Sequence, residues 1–168
     1  MKTLTATLIA VAQLTTLPAI AQEGASIDVA VFDFELLDTS LEGEVMGENP
    51  DETRRTAALG DQLRQAISQA EGFALADIAP VADEAARRHL QNCGGCDVMM
   101  ARQLDADWSV TGTVQKVSNL ILNINIYVRD VEDGAPIQSM SADIRGNTDE
   151  SWQRGLEWLI RNRLDLGS

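Results

Sequence analysis

Between Trp108 and Val128 the chain alternates apolar and polar residues over two consecutive stretches, a period that an extended strand with one buried face satisfies and a helix does not. In the second stretch Leu122, Ile124, Ile126 and Val128 face one way, while Ile121, Asn123, Asn125 and Tyr127 face the other. In the first, Trp108, Val110, Gly112 and Val114 share a face. Ser118-Asn119 supplies a turn between the two, and Asp133-Gly134 supplies a turn into a third strand over Ile137–Ile144. An antiparallel meander of this kind needs a cover on its apolar side. The following segment can provide one: Asn147 and Glu150 have capping-box spacing, and Trp152, Leu156, Leu159, Ile160 and Leu164 share one face of a helix.

The first half of the chain has a different rhythm. Ile27, Val29 and Val31 alternate with Ala30, Phe32 and Phe34, so both faces are apolar and the strand is expected in the middle of a sheet covered on both sides. Residues 35–52 carry seven carboxylates, Glu35, Asp38, Glu42, Glu44, Glu48, Asp51 and Glu52, with Gly43 and Gly47 and no periodicity; a mobile, exposed acidic loop is expected there. Asn49-Pro50-Asp51-Glu52 then opens a helix with Asn49 as cap and Glu52 at capping-box spacing; Leu59, Leu63, Ala66, Ile67 and Ala70 form its apolar face, and Gly72 stops it. A short strand over Phe73–Ile78 follows, parallel to the first, because a helix between two strands is the usual parallel crossover. Two short helices, Val81–Leu90 and Asp97–Leu104, complete the order. The expected class is α/β (α+β): a mixed sheet of about five strands, parallel in its first part and meandering at its carboxyl end, with helices packed on it.

Met1 and Lys2 precede an apolar stretch, Leu4 to Leu17, and the small-residue site Ala19-Ile20-Ala21, a pattern that predicts a cleavable export signal over 1–21 and a single domain over 22–168. The apolar run is shorter than the roughly 18 residues that a bilayer crossing needs, and no cysteine follows the site to carry a lipid. The expected location is the periplasm, with no membrane span. The formal net charge of −13 disfavours nucleic acid and anionic membrane as partners. His89 is the sole histidine, which excludes sites built from several imidazoles.

Four stretches carry a resemblance: Cys93-Gly94-Gly95-Cys96-Asp97, Val110 to Leu122, Arg129-Asp130-Val131, and Asp143 to Trp152 with its Gly-Asn-Thr-Asp-Glu-Ser-Trp string. Together they resemble a family of secreted proteobacterial proteins of unknown function, over nearly all of the exported chain. The opening Val-Ala-Val-Phe-Asp-Phe and the Leu-Asp-Ala-Asp-Trp-Ser-Val-Thr-Gly-Thr-Val block are more loosely similar to the amino-terminal domain of TolB and to the curli-secretion component CsgG. The resemblance implies an envelope binding or assembly domain with no active site to transfer. It also implies an association with periplasmic quinoprotein alcohol oxidation. A non-enzymatic accessory protein that binds a periplasmic or outer-membrane protein is therefore expected, with no cofactor; self-assembly into an oligomer stands as a further option.

Cys93 and Cys96 hold the chain's two thiols in a compartment where disulfides form. A structural disulfide fixing a turn is the favoured role, since a thioredoxin-like pair follows a strand directly and this one follows a helix. The alternatives are a thiol-disulfide site, with Cys96 at a helix amino terminus, and a metal site of His89, Cys93 and Cys96 with Asp97 or water as fourth ligand. His89 alone reads as a helix-end residue at the favourable end of the dipole. Asp33, Glu35 and Asp77 fall at the carboxyl ends of the two parallel strands, the edge where open α/β sheets bind ligands, although solvated loop carboxylates explain them as well. Trp158 falls away from the core face of the last helix, beside Arg154 and Arg161, as partner-binding hot spots do; packing against an unseen part of the fold is the competing account.

Overall fold

Residues 26–166 are described in a computed structural model, so the export signal expected at 1–21 lies outside the described residues. A single mixed sheet carries six strands: β1 (Ile27–Val31), β2 (Glu35–Asp38), β3 (Phe73–Leu75), β4 (Trp108–Ser118), β5 (Ile121–Asp130) and β6 (Pro136–Ile144). Their order is β3-β1-β4-β5-β6, parallel from β3 to β4 and antiparallel from β4 to β6. β2 also runs parallel to β4, with Glu35 opposite Thr113 and Asp38 opposite Lys116. β1 and β2 are thus successive segments along one edge of β4.

Five helices pack on or around the sheet: α1 (Leu41–Met46), α2 (Pro50–Ser68), α3 (Ala82–Ala86), α4 (Cys96–Gln103) and α5 (Asp149–Asn162). α2 and α5 cover one face. There Leu59, Leu63 and Ile67 of α2 and Trp152, Leu156 and Leu159 of α5 meet Val29, Val31, Val110, Val114, Leu122, Ile124, Ile126 and Val128. Each such side chain contributes about 1.5–3 kcal/mol on burial, so the meander and its cover hold most of the apolar stabilisation. A smaller cluster on the opposite face joins Ala30 and Phe32 to Val81, Leu90, Cys96, Met100, Ala101, Ala106 and Val131. β1 is consequently apolar on both sides, as its sequence requires.

Several local expectations change. Phe34 does not share a face with Ala30 and Phe32; it joins the α2–α5 core, because the chain leaves β1 after Val31 and re-enters the sheet as β2. Its ring occupies the space a Cβ on Gly112 would take, which accounts for glycine in mid-strand. Residues 35–52, expected as a loop, carry β2 and α1. The second parallel strand stops at Leu75, where Asp77 turns the chain by accepting from the Ala79 amide at 2.9 Å. The helix expected over Val81–Leu90 is a 3-10 turn (Ala79–Val81) followed by α3, and it ends at Ala86.

Both capping boxes also differ. Asn49 does cap α2, accepting from the Asp51 amide at 3.0 Å, but Glu52 is buried and points elsewhere. At α5 the cap is Thr148, which accepts from the Ser151 amide at 3.2 Å and frees Asn147 for other contacts.

Candidate functional site

β6 is an edge strand of the sheet, and α5 returns across it. Gly155 permits the approach: a Cβ there would collide with the side chain of Ile144, so the helix sits close to the strand at this point. Beyond the contact the two elements diverge into an open groove of about 690 Å³, lined by Ser141, Asp143 and Arg145 from β6 and its end, and by Ser151, Arg154 and Trp158 from α5. Trp158 is 47% exposed, whereas Trp152 on the core face is buried. Arg154 donates to Glu150 at 3.1 Å and Arg161 pairs with Glu157, each one turn back along the helix. Of the three residues singled out in sequence, Trp158 and Arg154 line the groove and Arg161 does not.

A second constellation escaped the sequence reading. The Lys116 side chain is 1% exposed, and its ammonium donates to Glu52 at 2.6 Å, Asp38 at 3.1 Å and Glu42 at 3.4 Å; Glu52 is equally buried. These carboxylates come from the end of β2, from α1 and from the first turn of α2, so one lysine ties three elements to β4. Burial works to lower the Lys116 pKa, but hydrogen bonds and charge attraction from Glu52 and Asp38 outweigh it and push it up to about 12. Burial likewise works to raise the Asp38 carboxyl; hydrogen bonds from Ser40 and Lys116 overcome that and hold it below the usual carboxylate range. The signal was present in the sequence, because strand alternation places Lys116 on the same face as Val110 and Val114. A lysine there must find carboxylates.

The Gly-Asn-Thr-Asp-Glu-Ser-Trp string extends this network. Asn147 donates to Glu52 and, at 2.9 Å, to the Asn119 side-chain oxygen, and it accepts from Trp152 Nε1 and from Arg55, both at 3.1 Å. Arg55 donates through Nε to Asp149 at 2.6 Å and lies 6.0 Å from the centre of the Trp152 ring. Its hydrogen bond is the main reason the Asp149 carboxyl lies below its ordinary pKa. The polar residues of the string therefore join α5 to α2 and to the β4–β5 turn.

Cys93 and Cys96 lie at disulfide distance, with Cα atoms 5.6 Å apart. Gly94 and Gly95 both have positive φ, 70° and 98°, which explains why the intervening pair is Gly-Gly. Cys96 is buried. Asp97 faces Ser109 at 3.1 Å and Arg129 at 3.2 Å, and the exposed His89 lies 3.4 Å from Glu35, so the four residues considered as metal ligands do not converge. His89 also falls beyond the end of α3 rather than on its last turn. Asp33 and Glu35 line one cleft of about 300 Å³, which Asp77 does not reach. Each carboxylate already has a partner: Asp33 the Arg64 guanidinium, Glu35 the Leu90 amide at 2.6 Å, and Asp77 the Ala79 amide. Among the described residues, no group of three or more His, Cys, Asp or Glu side chains is placed to hold a metal ion.

Fold and site together define an α+β mixed-sheet domain with an open surface groove beside an edge strand. The chain belongs to the family DUF3280, described as "Protein of unknown function (DUF2380)", which it matches over residues 27–164. No curated protein matches it in sequence. Among solved structures it is similar to the lipoprotein GNA1162 from Neisseria meningitidis, at 13% identity and a TM-score of 0.51, over 82% of this chain and 99% of that one. The LpoB C-terminal domain from Salmonella enterica matches at 15% identity and 0.47, over 76% and 87% of the two chains. TolB from Acinetobacter baumannii matches at 9% identity and 0.46, over 83% of this chain and 29% of TolB. The family of unknown function read from the sequence is thereby shown. No helix among the described residues is long and apolar enough to cross a membrane.

Proposed function

We propose that this chain is a periplasmic, non-enzymatic accessory or assembly protein that binds another envelope protein through the groove between β6 and α5. One observation carries the proposal: Trp158 stands half-exposed at a groove flanked by Arg154 and Arg145, on a helix whose other tryptophan is buried. Trp and Arg are among the residue types most enriched where binding energy concentrates. β6 adds an edge with unpaired backbone groups, which an extended segment of a partner can join. The periplasmic setting rests on the export signal expected at residues 1–21, and the assembly role on the likeness to TolB and CsgG read from sequence. The alternative, a thiol-disulfide or metal-handling factor accessory to alcohol oxidation, needs an accessible sulfur at Cys93 or Cys96; Cys96 is buried and Cys93 is half-buried.

The test is affinity capture from periplasm with mass spectrometry, comparing the unaltered chain with Trp158→Ala. A partner that co-purifies with the first and is lost from the second, at an unchanged urea midpoint, is the expected outcome. Retention of every partner would refute the groove. Measuring the reduction potential of the cysteine pair tests the alternative, since a pair that stays oxidised at strongly reducing potentials has no place in thiol exchange.

A further inference from the structure

Ten large apolar side chains stand exposed among the described residues, and six come from two short segments: Leu41, Val45 and Met46 on α1, and Val117, Leu120 and Ile121 around the β4–β5 turn. Single exposed apolar residues need no account, but a gathering of them does. The two segments are joined. Glu42 of α1 accepts from the Asn119 side chain at 2.7 Å, within the turn, and Lys116 reaches the same carboxylate at 3.4 Å. The Thr39 amide, one residue before the α1 cap, donates to the Lys116 carbonyl at 2.9 Å. On the helical period Leu41, Val45 and Met46 flank Glu42, so α1 presents its apolar residues around the carboxylate that touches the turn. α1 buries none of its own residues. A helix of this length is not stable alone, and Lys116 with the Ser40 cap is what holds it out from the sheet.

The charge on the α1 side has one sign. Residues 35–53 contain seven carboxylates and no Lys or Arg, Glu42, Glu44 and Glu48 are exposed, and Lys116, at the end of β4, is buried. We propose that α1 and the β4–β5 turn form a second docking surface, separate from the groove at Trp158, whose occupant is a basic amphipathic segment of another protein: apolar along its centre and rimmed by Lys or Arg. Such a segment meets both the apolar residues and the acidic rim. A second copy of this chain would bring the same carboxylates face to face, and an anionic bilayer would be repelled in the same way.

Fluorescence anisotropy with a labelled synthetic amphipathic helix, leucines along one face and lysines at the rim, tests this. The same peptide with glutamates for lysines, phosphatidylcholine vesicles with and without phosphatidylglycerol, and sedimentation of the protein alone are the comparisons. Saturable binding of the lysine peptide is expected. It should weaken about tenfold or more in Leu41→Gln/Val45→Gln, and likewise in Leu120→Gln on the other segment, and remain unchanged in Trp158→Ala. Failure of the lysine peptide to bind, or equal binding of the glutamate peptide, overturns the proposal, as does binding insensitive to both the α1 and Leu120 variants. Vesicle binding or self-association abolished by those variants would give the surface to lipid or to a second copy and overturn it too. Loss in Trp158→Ala alone would assign the peptide to the groove, overturning this surface while leaving the first reading intact.

Discussion

Lys116→Met removes the charge on which three elements converge while keeping an unbranched side chain of similar reach. Glu52 then remains 1% exposed, with Asn147 as its remaining side-chain donor, and Asp38 loses its 3.1 Å partner. Breaking one side of a buried pair costs about 3–5 kcal/mol, because the stranded charge keeps its desolvation penalty. Glu42 adds little, being about half exposed. With a urea m-value of about 2 kcal/mol/M, the midpoint should fall by about 1.5–2.5 M. The companion variant Lys116→Met/Glu52→Leu removes both charges together, and replacing a buried pair by apolar residues is often close to neutral. It should therefore recover much of the loss. Urea titrations of the two single variants and the double variant give the coupling energy directly. A single variant that costs less than about 1 kcal/mol, or a double variant whose loss is the sum of the singles, would refute the hub as a buried, coupled charge site.

The same lysine sets an alkaline limit. Its pKa is raised from 10.5 to about 12 on folding, so its stabilisation is present below 10.5 and is lost as pH rises through 12; stability measured by urea from below 10.5 to above 12 should decline by about 2 kcal/mol in all, and less in Lys116→Met. Asp38 runs the other way, being lowered from 3.8: its contribution is present above that value and falls away as the solution is acidified below it, a decline that Asp38→Asn should blunt in an acid titration. Gly112→Ala puts a methyl into the Phe34 ring and should cost about 1–3 kcal/mol, with Phe34→Leu in the same chain restoring part of it in thermal melts. Replacing both cysteines by serine opens a very short loop; the expected loss is about 2 kcal/mol or less, with the far-ultraviolet circular dichroism retained.

Much of the fold was legible because it rests on local periods. The alternation of 120–128 and 108–114, the two-faced apolar strand at 27–32 and the helical stripe of Trp152, Leu156 and Leu159 each recur in the buried cores. The misreadings share a cause. Phe34 changed faces because a break in the strand cannot be seen from alternation, and β2 and α1 were hidden in an acidic segment without periodicity because their order comes from β4 and Lys116. Glu52 and Asn147 looked like caps by spacing, yet distant partners claimed both. Of the residues that line the groove, Trp158 and Arg154 stand out in sequence by their place away from the core face of the helix, while Lys116 was passed over although it lies on an apolar face.

What this sequence determines by itself is the set of elements and their apolar faces, because side-chain periods of two and 3.6 are properties of the local backbone. It also marks the Gly-Gly turn between the cysteines and the strongly acidic character of residues 35–52. Only the tertiary structure decided which polar residues meet: Lys116 with carboxylates 64 to 78 positions away, Asn147 with Glu52, and Glu42 of α1 with Asn119 of the β4–β5 turn. A buried charge has no period. Its partners are chosen by the three-dimensional packing that removes it from water.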